Sequence, residues 1–213
     1  MHFDNSRKEQ NTHMGIQLQV KKGDSKKLPG QSFAAGLGWD QADASNPIDL
    51  DLWIIRNNGG TFEPICWANA DWHRPDLGKN SEGNPWIATP ELDVVRRGDD
   101  RTGAESTTGY DENAVLDLSK APASVTQYQV YATYYDENGT GHTLGMATNV
   151  TFGVTQEATG NELITRLDQD HGFDVSVLLC TIDRGSDGSW SMTSVQSGFT
   201  DDMLTVAHKL GIG

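Results

Sequence analysis

The chain has 213 residues and a formal net charge of −14, with 30 Asp and Glu against 16 Lys and Arg. A negative field of this size repels phosphate backbones, which argues against nucleic acid as a partner, and it leaves anionic membranes approachable only indirectly or through a bridging ion. It suits a cationic ligand, although solubility alone also accounts for an acidic chain. The length allows one domain with a real core, and 23 glycines favour a turn-rich all-β fold.

The first residues of the chain differ in character from the rest. Residues 1–13 are polar and are interpreted as a disordered extension, with residues 14–213 forming a single domain. No apolar run approaches the ~20 residues that span a bilayer, so a cytoplasmic protein is expected. Cys66 and Cys180 are far apart and lie in no metal motif, so both are expected to be small buried residues rather than nucleophiles.

Hydrophobic alternation predicts strands at residues 15–20, 33–39 and 49–56, separated by a basic turn-forming segment at 21–30. In the third strand, Leu50, Leu52 and Ile54 fall on one face and Asp49, Asp51 and Trp53 on the other. Residues 68–90 carry Pro75, Pro85, Pro90, Trp72 and Trp86 and are predicted to form a long irregular loop or insertion with at most short pieces of structure.

Further strands are predicted at 61–67, 91–95, 114–118, 126–135, 148–154, 162–166, 175–182 and 190–195. The strand at 175–182 is apolar on both faces and should be central. At the end, Thr200 is expected to cap a helix with Asp201 and Asp202 in its first turn, and Gly211 to end it. Short strands with one terminal helix indicate a two-sheet β-sandwich with long loops.

Three acidic clusters suggest a cation site. Asp49 and Asp51 project from the same side of a strand, roughly 6–7 Å apart, with Asp40 upstream. Two such anions repel and disfavour the strand unless a bound cation converts the repulsion into coordination.

The second cluster is Asp99 and Asp100 in a glycine-bounded loop at 98–103, and the third is Asp111 with Glu112. Calcium takes six to eight oxygen ligands in flexible geometry, which such loops offer without interleaved His or Cys. Magnesium remains possible, and a solvated charged loop explains the residues equally well.

Two other functions are compatible with the sequence. Asp49 and Asp51 have about the spacing of a glycoside hydrolase pair, although an acid catalyst needs an apolar pocket and a crowd of acids suits a cation better. The tryptophan-rich stretch at 67–90 could serve a structural or scaffolding module as its contact surface for a protein partner, or could simply pin its own loop to the sandwich.

Several motifs in register resemble the TerD family of tellurium-resistance and stress proteins. The resemblance spans residues 15–213. Its motifs are Gly36-Leu37-Gly38-Trp39-Asp40, Asp49-Leu50-Asp51, the loop from Gly98 to Gly103, Asp111-Glu112, Leu116-Asp117-Leu118-Ser119, Asn149 with Phe152 and Val154, and Gly198-Phe199.

The resemblance implies a cytoplasmic β-sandwich that binds two calcium ions and contributes to tellurite and stress resistance without a settled enzymatic reaction. The ligands that it implies are Asp40, Asp49, Asp51, Asp99, Asp100, Asp111 and Glu112. The chain departs from the family pattern in reading Gly98-Asp99-Asp100 where Gly-Asp-Asn is usual, and in its long segment 67–90.

Overall fold

Two β-sheets and a short helix account for most of the ordered elements in a computed structural model of the chain. The structure describes residues 15–41, 48–80, 83–97, 110–135, 141–167 and 171–211. The predicted N-terminal extension, residues 1–13, and two of the predicted ligands, Asp99 and Asp100, lie outside the described residues.

The strands alternate with short turns along the chain. They are β1 (Gln17–Gln19), β2 (Ser25–Lys27), β3 (Ser32–Gln41), β4 (Leu50–Asn58), β5 (Thr61–Ile65), β6 (His73–Lys79), β7 (Pro85–Ala88), β8 (Val94–Arg96), β9 (Glu112–Asp117), β10 (Val125–Tyr134), β11 (Ala147–Gln156), β12 (Glu162–Arg166), β13 (Ser176–Arg184) and β14 (Trp190–Phe199). Two 3-10 turns lie at Ala70–Trp72 and Leu144–Met146, and helix α1 spans Met203–Lys209.

The strands form one eight-stranded and one six-stranded sheet. Their orders are β1-β12-β11-β3-β9-β8-β7-β6 and β2-β14-β13-β10-β4-β5. Strand β1 pairs with β12 in parallel, and the other recorded pairings are antiparallel. The predicted two-sheet β-sandwich with a C-terminal helix is therefore confirmed. Among the described residues, no helix is long and apolar enough to cross a membrane.

Strand β4 shows how alternation builds the core. Leu50, Leu52 and Ile54 enter the main core between the sheets, as predicted. Trp53 and Ile55 point to the opposite face of the same sheet, where Met203 and Val206 of α1 cover them together with other apolar side chains. Because both faces of β4 are buried, its position and register are tightly constrained.

Strands β10 and β13 also follow their sequence patterns. Tyr128, Val130, Ala132 and Tyr134 all enter the main core from β10. Strand β13 lies between β10 and β14, inside the six-stranded sheet. This position confirms the prediction that its apolar segment is central.

The prediction of an irregular loop at 68–90 is wrong. Strands β6 and β7 extend the eight-stranded sheet at its edge, with His73 opposite Ile87 and Arg74 opposite Trp86. An edge strand tolerates proline because one side of its backbone needs no ladder bond. Gly78 is required there, since a Cβ at that position would lie 2.7 Å from the Trp86 ring.

Smaller differences occur near both termini. Residues 25–27 form strand β2 inside the predicted turn segment 21–30. The helix is capped by Asp202 rather than Thr200, because the Asp202 side chain accepts the backbone N–H of Thr205.

Candidate functional site

The antiparallel pairings bring several strand ends to one end of the sandwich. Strand β9 runs antiparallel to β3 and β8, so it begins beside the ends of both. Strand β10 runs antiparallel to β4, so its end lies beside the start of β4. We call this region the loop end. The described residues Gln41 and Ile48, Arg97 and Tyr110, and Tyr135 are at or next to these strand ends.

Five of the seven predicted ligands lie in the described residues, and all five are at the loop end. Asp40 lies near the end of β3, Asp49 and Asp51 at the start of β4, and Asp111 and Glu112 at the start of β9. Within the part of the chain that the structure describes, no group of three or more His, Cys, Asp or Glu side chains is arranged to hold a metal ion. The five acids thus share a region, and the structure does not show a completed ion site.

A buried arginine links two of these acids. Arg96, at the end of β8, is only 2% exposed, against 3% for Asp51 and 1% for Glu112. Its Nη2 donates to Oδ1 of Asp51 at 2.9 Å, and its Nε donates to Oε2 of Glu112 at 3.0 Å. The guanidinium thereby joins the two sheets and offsets part of the repulsion between the acids.

Sequence reasoning did not identify Arg96 as part of this site. Arg96 follows two valines in a short apolar strand, and this position indicates that its side chain is buried. A buried arginine requires acidic partners. The sequence alone does not say which acids those partners are.

Asp111 fastens the start of β9 to the end of β3. Its Oδ2 accepts the backbone N–H of Trp39 at 2.8 Å, and its own backbone N–H donates to the carbonyl of Leu37 at 2.9 Å. The neighbouring Asp40 is exposed, and its Oδ2 accepts Nδ2 of Asn149 at 2.5 Å. Asn149 has a φ of 53°, a left-handed conformation that asparagine adopts more readily than most residues.

Tyr110, just before the start of β9, lies on the outer face of the eight-stranded sheet. Its ring lies over two glycines: a Cβ at Gly36 would be 2.4 Å from Cγ of Tyr110, and one at Gly153 would be 2.0 Å from its hydroxyl oxygen. Side chains at these positions would collide with the ring, so both glycines are required for Tyr110 to pack against the sheet.

The hydroxyl of Tyr110 donates to Oε1 of the buried Glu162. Burial, followed by the interaction with this carboxylate, raises the pKa of Tyr110 above its usual value. The phenol therefore stays protonated and remains a donor at physiological pH. Tyr110 in this way positions the adjoining Asp111 and Glu112.

A cavity of about 250 Å³ opens beside the acids. Asp49, Asp51 and Arg96 line it together with Trp67 and Tyr135. The two aromatic rings meet edge to face, with centroids 5.0 Å apart, and the backbone N–H of Tyr135 donates to the carbonyl of Asp49 at 2.9 Å. The cavity combines carboxylates, a guanidinium and an aromatic wall.

The other tryptophans have structural contacts. The Arg56 guanidinium lies 5.6 Å from the ring of Trp72, and that of Arg97 lies 5.3 Å from the ring of Trp86. These contacts hold segment 67–90 against the sandwich. Trp39 and Trp53, which flank the acids in sequence, both fill cores.

Both cysteines are buried and free. Burial raises the pKa of Cys66 to about 11, and it also raises the pKa of Cys180. At neutral pH both are thiols rather than thiolates, which agrees with the expectation of inert buried residues.

A family model described as the TerD domain matches residues 86–210, more than half of the chain. The uncharacterized protein YceE of Bacillus subtilis (strain 168) is 28% identical over 201 residues, covering 92% of this chain and 98% of that protein. General stress protein 16U of the same organism is 26% identical over 197 residues, covering 88% and 92%.

A solved structure, described as a homologue of telluride resistance protein (TerD), SCO6318 from Streptomyces coelicolor A3(2), superposes with a TM-score of 0.61. The sequences are 18% identical, and the match covers 83% of this chain and 95% of that one. Identity this low shows a shared fold.

Proposed function

Because the chain belongs to the TerD family, we propose that it is a cytoplasmic calcium-binding protein of the stress response, linked to tellurite resistance and acting by binding rather than catalysis. The observation that carries this proposal is the gathering of five acids, from the ends of β3, β4 and β9, at the loop end. The names of the relatives support the stress-related role.

The donor chemistry fits calcium. Every member of the proposed ligand set is a carboxylate, and calcium prefers six to eight oxygen ligands. A zinc site would instead draw on cysteine or histidine. We assign to two calcium ions the acids Asp40, Asp49, Asp51, Asp99, Asp100, Asp111 and Glu112.

Arg96 fits this proposal as an orienting group. It donates hydrogen bonds to Oδ1 of Asp51 and to Oε2 of Glu112. A carboxylate has about four acceptor sites on its two oxygens. In the proposal the guanidinium fixes the direction of both side chains, and the same two carboxylates contribute oxygen ligands to the ion.

Bound ions would cross-link the segments 36–51 and 98–117. In the proposed mechanism this linkage fixes the shape of the loop end, and a protein partner recognises the resulting surface. Tyr110 contributes by holding the start of β9 in place before any ion binds.

Thermal melting in calcium and in excess chelator tests the proposal. A ligand at a hundredfold excess over its Kd stabilises a protein by about 2.7 kcal/mol. For a chain of this size that corresponds to a Tm increase of about 5–10 °C. Equal melting temperatures in the two conditions would contradict calcium binding.

Matched variants locate the effect. Asp111→Asn should reduce the calcium-dependent shift. Asp187→Asn should leave it unchanged, because Asp187 lies in the turn between β13 and β14, at the opposite end of the sandwich. A shift that survives Asp111→Asn together with Asp49→Asn would place the ions elsewhere.

A second function is favoured by the cavity beside the acids. Its aromatic wall, Trp67 with Tyr135, could hold a side chain of a protein partner, as expected of a structural or scaffolding interaction module. In that case Trp67→Ala abolishes binding of the protein partner and leaves calcium binding unchanged, whereas Asp111→Asn weakens calcium binding. Capture that is unaffected by Trp67→Ala would rule this function out.

A hydrolase fits the geometry less well. An acid catalyst needs an apolar pocket, and Asp51 instead accepts a hydrogen bond from the buried Arg96 guanidinium. Screening with glycoside and phosphoester substrates decides the matter. Activity that disappears in Asp49→Asn would restore the hydrolase hypothesis.

A further inference from the structure

The sandwich is open between the two edge strands nearest the N-terminus. Strand β1 is the last strand of the eight-stranded sheet and β2 the last of the six-stranded sheet. Each has only three residues. A cleft of about 210 Å³ lies between them.

The lining of the cleft is mostly apolar. Its interior includes Leu28, Phe33 and Val154, which belong to the main core. Its rim carries Ile16 and Leu18, which are 64% and 51% exposed. The alternation of Ile16 and Leu18 that predicts a strand thus produces an apolar surface that the described part of the protein leaves open to solvent.

The opposite bank of the cleft is basic. Lys26 and Lys27 of β2 both border it and are exposed. Lys26 pairs with the core residue Met192 and therefore faces the cleft, whereas Lys27 pairs with Ser191 and faces the outside of the sheet. Lys21 and Lys22 precede them, so four of the chain's 16 basic residues lie within residues 21–27. In a protein with a net charge of −14, this is a local reversal of sign.

One carboxylate also lines the cleft, and it is engaged elsewhere. Glu162 accepts Nε2 of Gln17 at 2.7 Å, Oγ1 of Thr155 at 3.1 Å and the hydroxyl of Tyr110. These donors satisfy its charge on the outer face of the sheet. The lysines therefore determine the charge that a ligand meets at the mouth of the cleft.

We propose that this cleft binds a fatty carboxylate, with the acyl chain along Ile16 and Leu18, above the buried Phe33, and the carboxylate against Lys26. An apolar slot bordered by cations is complementary to a chain with an anionic head. Transfer of each methylene from water contributes about 0.8 kcal/mol, so affinity should rise about fourfold per methylene until the cleft is filled.

Calorimetric titration of the full chain with decanoate and dodecanoate, below their micelle concentrations and in excess chelator, tests the proposal. Dodecanoate should bind about 15-fold more tightly than decanoate. Dodecanol and dodecyltrimethylammonium should bind more weakly than dodecanoate, because neither pairs with Lys26. The chelator keeps the result independent of any calcium site.

Variants at exposed positions separate the cleft from general surface binding. Leu18→Asn and Lys26→Gln should each weaken dodecanoate binding at least tenfold, and Lys27→Gln should weaken it less, because Lys27 faces the outside of the sheet. Leu204→Asn is the matched control, since Leu204 is similarly exposed at 55% but lies on α1. Equal affinities for the wild type and Leu18→Asn would overturn the proposal.

Other occupants of the cleft give different results. Binding to phosphatidylglycerol vesicles without binding of monomeric dodecanoate would indicate a membrane surface and overturn the proposal. A chain that binds no amphiphile, and whose sedimentation shows a dimer that Leu18→Asn dissociates, would indicate a second copy and would also overturn it.

Discussion

Replacing Arg96 by glutamine should strongly destabilise the ion-free protein. The guanidinium is buried and bonded to Asp51 and Glu112, which are themselves buried. Removing one partner of a buried ion pair leaves an uncompensated charge and typically costs about 3–5 kcal/mol. Here two carboxylates lose the same partner, so the upper part of that range is expected.

In a chain of 213 residues, a loss of this size lowers the Tm by about 6–20 °C. If calcium binds the same two acids, it supplies positive charge where the arginine is missing. The difference in Tm between wild type and Arg96→Gln should therefore narrow at saturating calcium.

Differential scanning calorimetry with chelator and with calcium measures both effects. Arg74→Gln is the matched control, because Arg74 pairs with Asp76 at the surface and its loss should leave the Tm nearly unchanged. If Arg96→Gln does not fold, Arg96→Lys is the alternative variant. It keeps the positive charge but cannot bond both acids as the guanidinium does, so its Tm should be lower than that of the wild type and higher than that expected for Arg96→Gln. A Tm for Arg96→Gln within 2 °C of wild type in chelator, roughly 1 kcal/mol, would refute the role assigned to the guanidinium.

Three further predictions concern the rest of the fold. Gly36→Ala should lower the free energy of unfolding by about 1–3 kcal/mol, because its Cβ collides with Tyr110. Urea unfolding should show a smaller loss when the same substitution is made in a Tyr110→Ala chain, and equal losses in both chains would exclude the collision. Iodoacetamide at pH 8 should modify Cys66 and Cys180 slowly in the native protein and rapidly in urea, since both thiols are buried and the pKa of Cys66 is about 11. Rapid modification of the native protein would show that the thiols are accessible. Asp202→Ala should lower the free energy of unfolding by about 0.5–2 kcal/mol by removing the helix cap, and an unchanged value would assign the cap to another residue.

The central strands could be predicted from the sequence because their patterns are local. In β4 Leu50, Leu52 and Ile54 recur at every second position, and the alternate positions hold Asp51, Trp53 and Ile55. Such alternation determines both the strand and its buried face before any partner strand is known. The gathering of acids was likewise anticipated, although it needed the family resemblance to choose among them.

The edge strands and the arginine depend on distant contacts. Strands β6 and β7 contain the proline and glycine that ordinarily indicate loops, and they become strands by pairing with each other beside β8. Arg96 bonds to Asp51, which is 45 residues away in the sequence and belongs to the other sheet. Neither contact leaves a periodic signal in the sequence, so only the assembled sandwich reveals them.

The predicted helix start illustrates a smaller limit. Thr200 and Asp202 are both good N-cap residues, and they lie two positions apart. The choice between them depends on where β14 ends and how Met203 and Val206 reach the outer cluster over Trp53. Propensity alone does not distinguish the two positions.

Calorimetric titration of the chelator-stripped chain with calcium measures ion binding without relying on stability. The proposed function predicts saturable binding of two ions per chain, with Asp49→Asn and Asp111→Asn each lowering the affinity or the stoichiometry. A titration without binding heat at several temperatures, or one that both variants leave unchanged, would contradict calcium coordination at the loop end.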